Sequence, residues 1–493
     1  MFPFIHFAEP PQTNLIPMRS APYALAALAV LSLSACATAR KADVRLPAAF
    51  ETASGQAAPA APAGAMALDR WWTAYGDPEL TTLVDQALAH NTDVRTAQSR
   101  LSEIKAQLIS AVSQYGPQGD ASYSSSRTHT EQLGGTAVSI PGFSNSGTST
   151  RQSASFNVSW ELDPFGRAFF GTRAAKAEVD RVRYAYETTR SSVAAQTADT
   201  WFQAKGLAIQ LADARETVRI EQDLYNTADR RGRLGLAATS EADRVAGDLA
   251  QARAQAEALE ALLQVQKRAL LILTGRVVEP TANINATPDV GQAPAIPAVL
   301  PSELLQRRPD VRQAQAAVKS AANQKILDAL ALFPTFNFMP GLGWQKVKQP
   351  NFGSTSQSWT LAGSIIQPVL SIPRLLAEFK AQDARTEQAV ITYEKTVQTA
   401  FQEAESALVN LEADRRRVAL LTDGEARAHR AYEASRTGYA RGLTDLSSTL
   451  QAEQGWRAVR AQLTGAQVQA LRRSVQAMKA IGGGWPVQTY AAK

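Results

Sequence analysis

The chain repeats itself. Asp93-Val94-Arg95 returns as Asp310-Val311-Arg312, and each triplet is followed by one residue and then Ala-Gln, at Ala97-Gln98 and Ala314-Gln315. That shift is about 217 positions. Downstream, Arg167 matches Arg374, Tyr186-Glu187 matches Tyr393-Glu394 and Tyr225 matches Tyr432. Gly235-Leu236 matches Gly442-Leu443, and Gly275 matches Gly482. These pairs share a shift of about 207 without a gap over roughly 110 residues, which chance identity of short strings does not produce. The first copy therefore carries about ten extra residues between 117 and 164. The duplication bounds the copies to residues 69–279 and 302–485, joined by a Pro-rich linker over 280–301.

Both copies follow one plan. Asp77-Pro78-Glu79 has Pro near N1 and acids in the first turn, which predicts a helix from there to Gln114, where Gly116-Pro117 stops it. A segment rich in Ser, Thr, Gly and aromatics follows. Next come proline-free stretches from Phe165 to Glu279 and from Arg374 to Trp485, too long for compact-domain helices. Gly232-Arg233-Leu234-Gly235, matched by Gly438 and Gly442, reads as a helix–turn–helix tip. Helices of about 65 and 35 residues would flank it, roughly 95 Å and 50 Å long. The returning helix carries Val245, Leu249, Ala252, Ala256, Leu259, Leu263, Gln266, Leu270 and Leu273 in steps of four and three, a coiled-coil seam with one polar member. On the outgoing helix Ala204, Leu211, Val218 and Tyr225 recur every seventh residue. Abundant Ala, with aromatics at 7% and charged residues at 19%, supports long helices. The net charge of +6 has no Lys/Arg block, so a nucleic-acid footprint is absent.

Between the helices the period changes. Ala154, Phe156, Val158, Trp160 and Leu162 alternate with Ser153, Ser155, Asn157, Ser159 and Glu161, a period of two that fits a transmembrane barrel strand. The second copy repeats it with Phe336, Phe338, Leu342 and Trp344, then Trp359, Leu361 and Ile365. Ala121 to Arg127, the partner strand, is weaker, with Tyr123 its one strong apolar residue. These segments predict hairpins over about 119–163 and 334–368. A soluble half-buried hairpin gives the same alternation. Two hairpins are four strands, too few to close a barrel, and an open edge in hydrocarbon leaves backbone groups unpaired at several kcal/mol each. If lipid is the solvent, other subunits must complete the wall.

The N-terminus carries an address. Met18, read as the start, and Arg19 precede an apolar run from Ala21 to Leu33, too short to span a bilayer and suited to a signal peptide. Leu33-Ser34-Ala35-Cys36 resembles the lipobox of bacterial lipoproteins, in which Cys36 becomes the acylated first residue. Acyl chains at about 0.8 kcal/mol per buried methylene make a lasting anchor. Residues 1–36 are thus a signal peptide, 37–68 an Ala/Pro-rich linker and 486–493 a tail. Ala37 after the Cys favours outer-membrane sorting by lipoprotein analogy. Cys36 is the single cysteine, so no disulfide forms within the chain.

No enzyme constellation is evident. His6, His90, His129 and His429 lack ligand spacing, and there is neither a phosphate loop nor a nucleophile elbow. Neither an enzymatic activity nor a cofactor or metal is expected.

The ordered set of motifs resembles the outer-membrane efflux channels of the TolC type, in the lipoprotein branch that includes NodT and OprM. It comprises Trp71-Trp72-x-x-Tyr75-x-Asp77-Pro78-x-Leu80, Trp160-Glu161-Leu162-Asp163-Pro164-Phe165-Gly166-Arg167, Arg307-Arg308-Pro309-Asp310-Val311-Arg312, Phe333-Pro334, Gln367-Pro368-Val369-Leu370, Tyr439-x-x-Gly442-Leu443 and Gly482-Gly483-Gly484-Trp485. The resemblance implies a mainly α fold with a small β part: a duplicated helix–β-hairpin–long helical hairpin. It further implies a homotrimer with a 12-strand outer-membrane β-barrel continuous with a 12-helix periplasmic α-barrel. The linker and chain ends would form an equatorial collar. Such a channel conducts passively, docks a periplasmic adaptor and works with an inner-membrane pump, of the RND type in this branch. The resemblance puts Arg231, Gly235, Leu236, Tyr439, Gly442 and Leu443 at the adaptor-facing tip. The family's acidic gate ring aligns with Ser448 and Gln451, a departure that leaves Asp445, Glu241 and Asp243 as nearby acids. Arg230, Arg231 and Arg233 are their candidate partners, and plain surface charge is the simpler reading for each. A periplasmic coiled-coil adaptor or scaffold lipoprotein is the alternative function.

Overall fold

The structure, a computed structural model, describes residues 42–47, 49–50, 68–131, 133–134, 147–235, 238–297, 301–350 and 352–485. Cys36 with its signal segment, most of the 37–68 linker, Leu236 and the 486–493 tail lie outside the described residues. All elements below belong to one unit, Asp43–Lys493.

The helix expected from Asp77 to Gln114 is two helices, α1 (Pro78–His90) and α2 (Thr92–Ser113). Asn91 breaks it. Its backbone is extended, its side-chain oxygen accepts from the N–H groups of Asp93 and Val94, and its Nδ2 donates to the Leu273 carbonyl. A short polar side chain that caps the next turn competes with helix continuation. The second copy breaks at the matching place, where α5 (Leu304–Arg307) gives way to α6 (Pro309–Leu330) at Arg308-Pro309. There Pro supplies the start.

The long helices are α3 (Arg167–Arg233, 67 residues) and α4 (Thr239–Leu273, 35 residues) in the first copy. In the second they are α7 (Ile372–Ala440, 69 residues) and α8 (Leu446–Ala480, 35 residues). At 1.5 Å per residue the outgoing helices reach about 100 Å. The α4 seam is buried at Val245, Leu249, Ala252, Leu259, Leu263 and Leu270. Gln266, its polar member, donates to the side chain of Gln203 on α3, so one half-buried amide meets another. On α3 the buried stripe follows Ala204 and Leu211 but drifts to Ile220, Leu224 and Ala228 rather than staying on Val218 and Tyr225. An unsupercoiled helix drifts in this way against a strict seven-residue repeat.

The two largest buried clusters among the described residues tie the helices together. One, halfway along, joins Trp71, Trp72, Leu80, Leu83 and Val84 to Trp201, Phe202, Leu270, Val475 and Met478. Ile284, Val290, Ala293 and Ile296 of the inter-repeat linker pack on it. The other lies towards the tips and joins Ile220, Leu224 and Val245 to Tyr432, Tyr439, Leu446, Leu450 and Trp456.

The four strands β1 (Gln118–Thr130), β2 (Gly147–Leu162), β3 (Thr335–Gln349) and β4 (Phe352–Ile366) form one antiparallel sheet in that order. The hairpins thus lie close to their expected spans. The β2–β3 ladder skips at Pro340, which has no N–H to give, and resumes at Trp160↔Phe338.

Candidate functional site

Directly opposed residues in an antiparallel sheet share a face. The registers therefore stack the apolar positions into rows across the strands. Leu162 opposes Phe336, which opposes Ile365. In the next rows Trp160 opposes Phe338, and Ala121, Phe156, Leu342 and Trp359 run across all four strands. Tyr123, Ala154 and Trp344 make a further row. Among the described residues nothing covers this face: Trp359 is 77% exposed, Leu361 65% and Ile365 68%. The opposite face is polar, with Ser122 bonded to Ser155 and Ser124 to Ser153 at 2.8 Å each. A soluble hairpin would bury its apolar face on its own core; this one does not.

The sheet joins the helices through fixed contacts. Arg167, at the start of α3, pairs with Glu161 at 2.7 Å and donates to the carbonyls of Leu330 and Phe333. Asp163 caps α3 by accepting from the N–H groups of Gly166, Arg167 and Ala168. Phe165 packs on Phe333 and Phe336, and the Trp160 indole donates to the Tyr115 carbonyl. One sequence motif, Trp160 to Arg167, thus builds the corner where strand becomes helix.

At the far end each helical hairpin turns on a glycine. Gly442 has φ +74, its N–H bonds the Tyr439 carbonyl, and the Leu443 N–H bonds that of Gly438. This is a Schellman ending, which requires the left-handed conformation at Gly442. Gly235 has φ +69 and bonds the Gly232 carbonyl in the same way. The two tips touch. The Arg231 guanidinium lies 5.0 Å from the centroid of the buried Tyr439 ring. Burial pushes the Tyr439 hydroxyl up, Arg231 opposes this, and Glu241 adds to it. Leu234 and Leu443 are exposed.

The expected gate residues divide. Asp445 is the N-cap of α8, accepting from the Ser448 N–H at 2.8 Å and from its hydroxyl at 3.0 Å. Those bonds hold its carboxyl below the usual range. Gln451 and Asp243 are exposed. The suggested arginine–acid clasp is not formed among the described residues: Arg233 pairs with Asp229 on its own helix, and Arg231 stacks on Tyr439.

A buried acidic cluster lies two turns beyond the tip. Glu453 on α8 is 0% exposed and Glu221 on α3 is 1% exposed. Arg457 serves both: its Nη2 donates to Glu221 Oε1 at 3.1 Å, and its Nε lies 3.5 Å from Glu453 Oε1. Burial pushes Glu453 up to about 7; Arg457 opposes the shift, and Glu221 and Asp248 add to it. Glu221 is pushed up by the same cause. Above this cluster Arg460 pairs with Asp213 and Arg472 with Asp199. Arginines of α8 thus tie the second hairpin to acids of α3 in the first.

With this geometry in view, comparison with known proteins is decisive. The model of the family described as "Outer membrane efflux protein" matches residues 83–276 and 300–483. The chain belongs to that family. A pyoverdine export outer membrane protein, OpmQ of Pseudomonas aeruginosa, is 26% identical over 84% of this chain and 87% of its own length. The cation efflux system protein CusC of Escherichia coli O6:H1 is 25% identical over 84% and 88%. The solved outer membrane channel CmeC of Campylobacter jejuni superposes with a TM-score of 0.77 at 22% identity, covering 90% of this chain and 94% of its own. The OprN channel gives 0.76 at 23%, covering 90% and 98%. Both matched segments begin at the helices before a hairpin and end at a helical return, so the family unit is the repeat legible in the sequence.

As for other outer membrane efflux proteins, the surfaces of the sheet and of the helical tips are the features that bear on transport. No group of His, Cys, Asp and Glu able to hold a metal occurs among the described residues. Sequence reasoning placed acids on solvated helix faces and so missed Glu221, Glu453 and Arg457. Position in a heptad shows which face meets the hairpin partner, but not where a third helix covers the other side.

Proposed function

We propose that three copies of this chain close into a 12-strand outer-membrane barrel continuous with a 12-helix periplasmic tunnel. Through it drugs, toxic compounds or other small solutes leave passively. The observation that carries this reading is the sheet: one face apolar across the registers of all four strands, uncovered, with β1 and β4 as open edges. Edges in hydrocarbon must be paired, and copies of the same sheet supply the missing strands. Cys36 carries the lipid that adds an anchor. Energy comes from an inner-membrane pump of the RND type through a periplasmic adaptor. The adaptor docks at the tips formed by Arg231, Gly235, Leu236, Tyr439, Gly442 and Leu443. Glu241, Asp243, Asp445, Ser448 and Gln451 stand where a gate would act. The Cys36→Ala variant tests the core of this. It should still require detergent for extraction and should sediment as an oligomer. A monomer released by buffer alone would sink the barrel and leave the adaptor-like scaffold.

A further inference from the structure

The outward face of the sheet changes character along its length. From the row of Leu162, Phe336 and Ile365 to the row of Ala154 and Trp344 it is apolar, with Gln357 its one polar member at the far edge. That is eight residues along β2, about 26 Å of strand, or about 20 Å once tilted as barrel strands are. The next rows differ. Ser125, Gln152, Lys346 and Thr355 share one row, and Arg127, Thr150, Lys348 and Gly353 the row beyond it. His129, opposite Thr148, follows on the same face.

Among the described residues no acid pairs with these cations. Within the strands, the outward face holds neither Asp nor Glu, while the polar face holds Asp120, Glu161 and Arg151 together. Glu131 comes just after β1, outside the sheet. Among the described residues no ion pair holds Arg127, Lys346 or Lys348, and Arg127 and Lys348 are exposed. Nor is this symmetric snorkelling at both ends of the apolar band. The end next to the helices carries Leu162, Phe336 and Ile365 on this face and no cation. Neighbouring strands are about 4.8 Å apart, so Arg127 and Lys348, separated by β2, stand about 10 Å from each other. In a ring of copies the pattern becomes a belt of positive charge directly beyond the apolar band.

We propose that Arg127, Lys346 and Lys348 form a binding surface for phosphate-bearing lipid headgroups of the outer leaflet. This rests on the barrel reading, which sets the hairpin ends of the strands outermost. Long side chains rooted beside an apolar band lay their stems along the acyl region and raise their charges to headgroup level. Guanidinium and ammonium groups there meet phosphate oxygens in a partly desolvated setting, where such pairs are stronger than in water. The continuity of belt and apolar band favours a lipid over a soluble anion, because one molecule can use both surfaces.

The test uses the full-length oligomer in detergent. Bisphosphorylated lipid A, the same lipid with both phosphates removed, and inorganic phosphate are each titrated by native mass spectrometry. The wild type should bind the phosphorylated lipid, and the R127Q/K346Q/K348Q variant should bind it roughly tenfold more weakly. Arg151→Gln, on the opposite face, should bind as the wild type does. Equal binding of the dephosphorylated lipid, equal binding by the triple variant, or an equal loss in Arg151→Gln overturns the proposal. Inorganic phosphate binding as tightly as the lipid also overturns it, leaving a free-anion site. Reconstitution into lipids brominated in the acyl chains separates the two readings. Quenching of Trp359, identified by the Trp359→Phe difference, with no discrimination between the lipids sinks the headgroup surface alone. An unquenched Trp359 sinks the barrel reading and this proposal with it.

Discussion

Glu453 is the residue whose surroundings most exceed what its position in the sequence announces. Its carboxyl is enclosed by Glu221, Asp248 and the single guanidinium of Arg457, and burial lifts its pKa from 4.5 to about 7. Folding therefore favours the protonated acid. Stability is unaffected below about 4.5, falls as pH rises from there to about 7, and is level above that, a total of roughly 3 kcal/mol. Thermal melts of the oligomer between pH 5 and 8 should show Tm falling with pH. Glu453→Gln should flatten that slope and raise Tm at pH 8, because it removes a buried charge that shares Arg457 with Glu221. A variant that kept the wild-type slope would show the cluster to be solvated. The sequence concealed this because Glu in a long helix is ordinary, whereas other residue-scale features were open to reading. Gly235 and Gly442 announce left-handed turns by type and spacing alone. Asn91 was overlooked although Pro309, at the matching place in the second copy, marks the same break.

At the scale of elements, alternation forecast the strands and register turned them into a surface. Phe156, Leu342 and Trp359 sit on strands from two hairpins, one in each copy, and pairing puts them in one row. Strand β1 was the weakest from sequence because only Tyr123 is large and apolar on its outward side. Pairing with β2 places it in the sheet regardless. Leu361 stands mid-band on β4 opposite Pro340, and Thr360 stands on the other face opposite Gly341. Leu361→Arg should cost about 2–4 kcal/mol of stability in lipid vesicles, the cost of a cation at bilayer mid-depth, and Thr360→Arg should cost far less. Denaturant unfolding in vesicles measures both. Equal costs would mean that the two faces meet the same solvent. The helical hairpins were legible to within a few residues, since proline-free length, tip glycines and a seven-residue seam act locally. Their drift from the strict heptad was not, because it depends on which neighbours each turn meets.

For the whole molecule, the duplication fixes four strands per chain, and four strands leave two edges. Nothing local to the sequence specifies how many copies it takes to remove those edges; that depends on the curvature and shear of the assembled wall. If β4 of one copy pairs with β1 of the next, residues across that seam approach closely enough for a disulfide, whose Cα atoms lie about 4.4–6.8 Å apart. Cys36 is the single cysteine, so Cys36→Ala gives a clean background. In it, a cysteine at Ser124 on β1 can be combined in turn with one at Ser354, Ser356 or Ser358 on β4. All four positions are on the polar face, away from lipid. Within one chain β1 and β4 are separated by two strands, so neither cysteine can reach the other. Oxidation in the membrane should give a ladder of one, two and three chains for the pairing in register, and monomers for each single variant. A ladder running past three would mean an open or larger ring. Monomers throughout would mean that the edges are covered by something other than copies of this sheet.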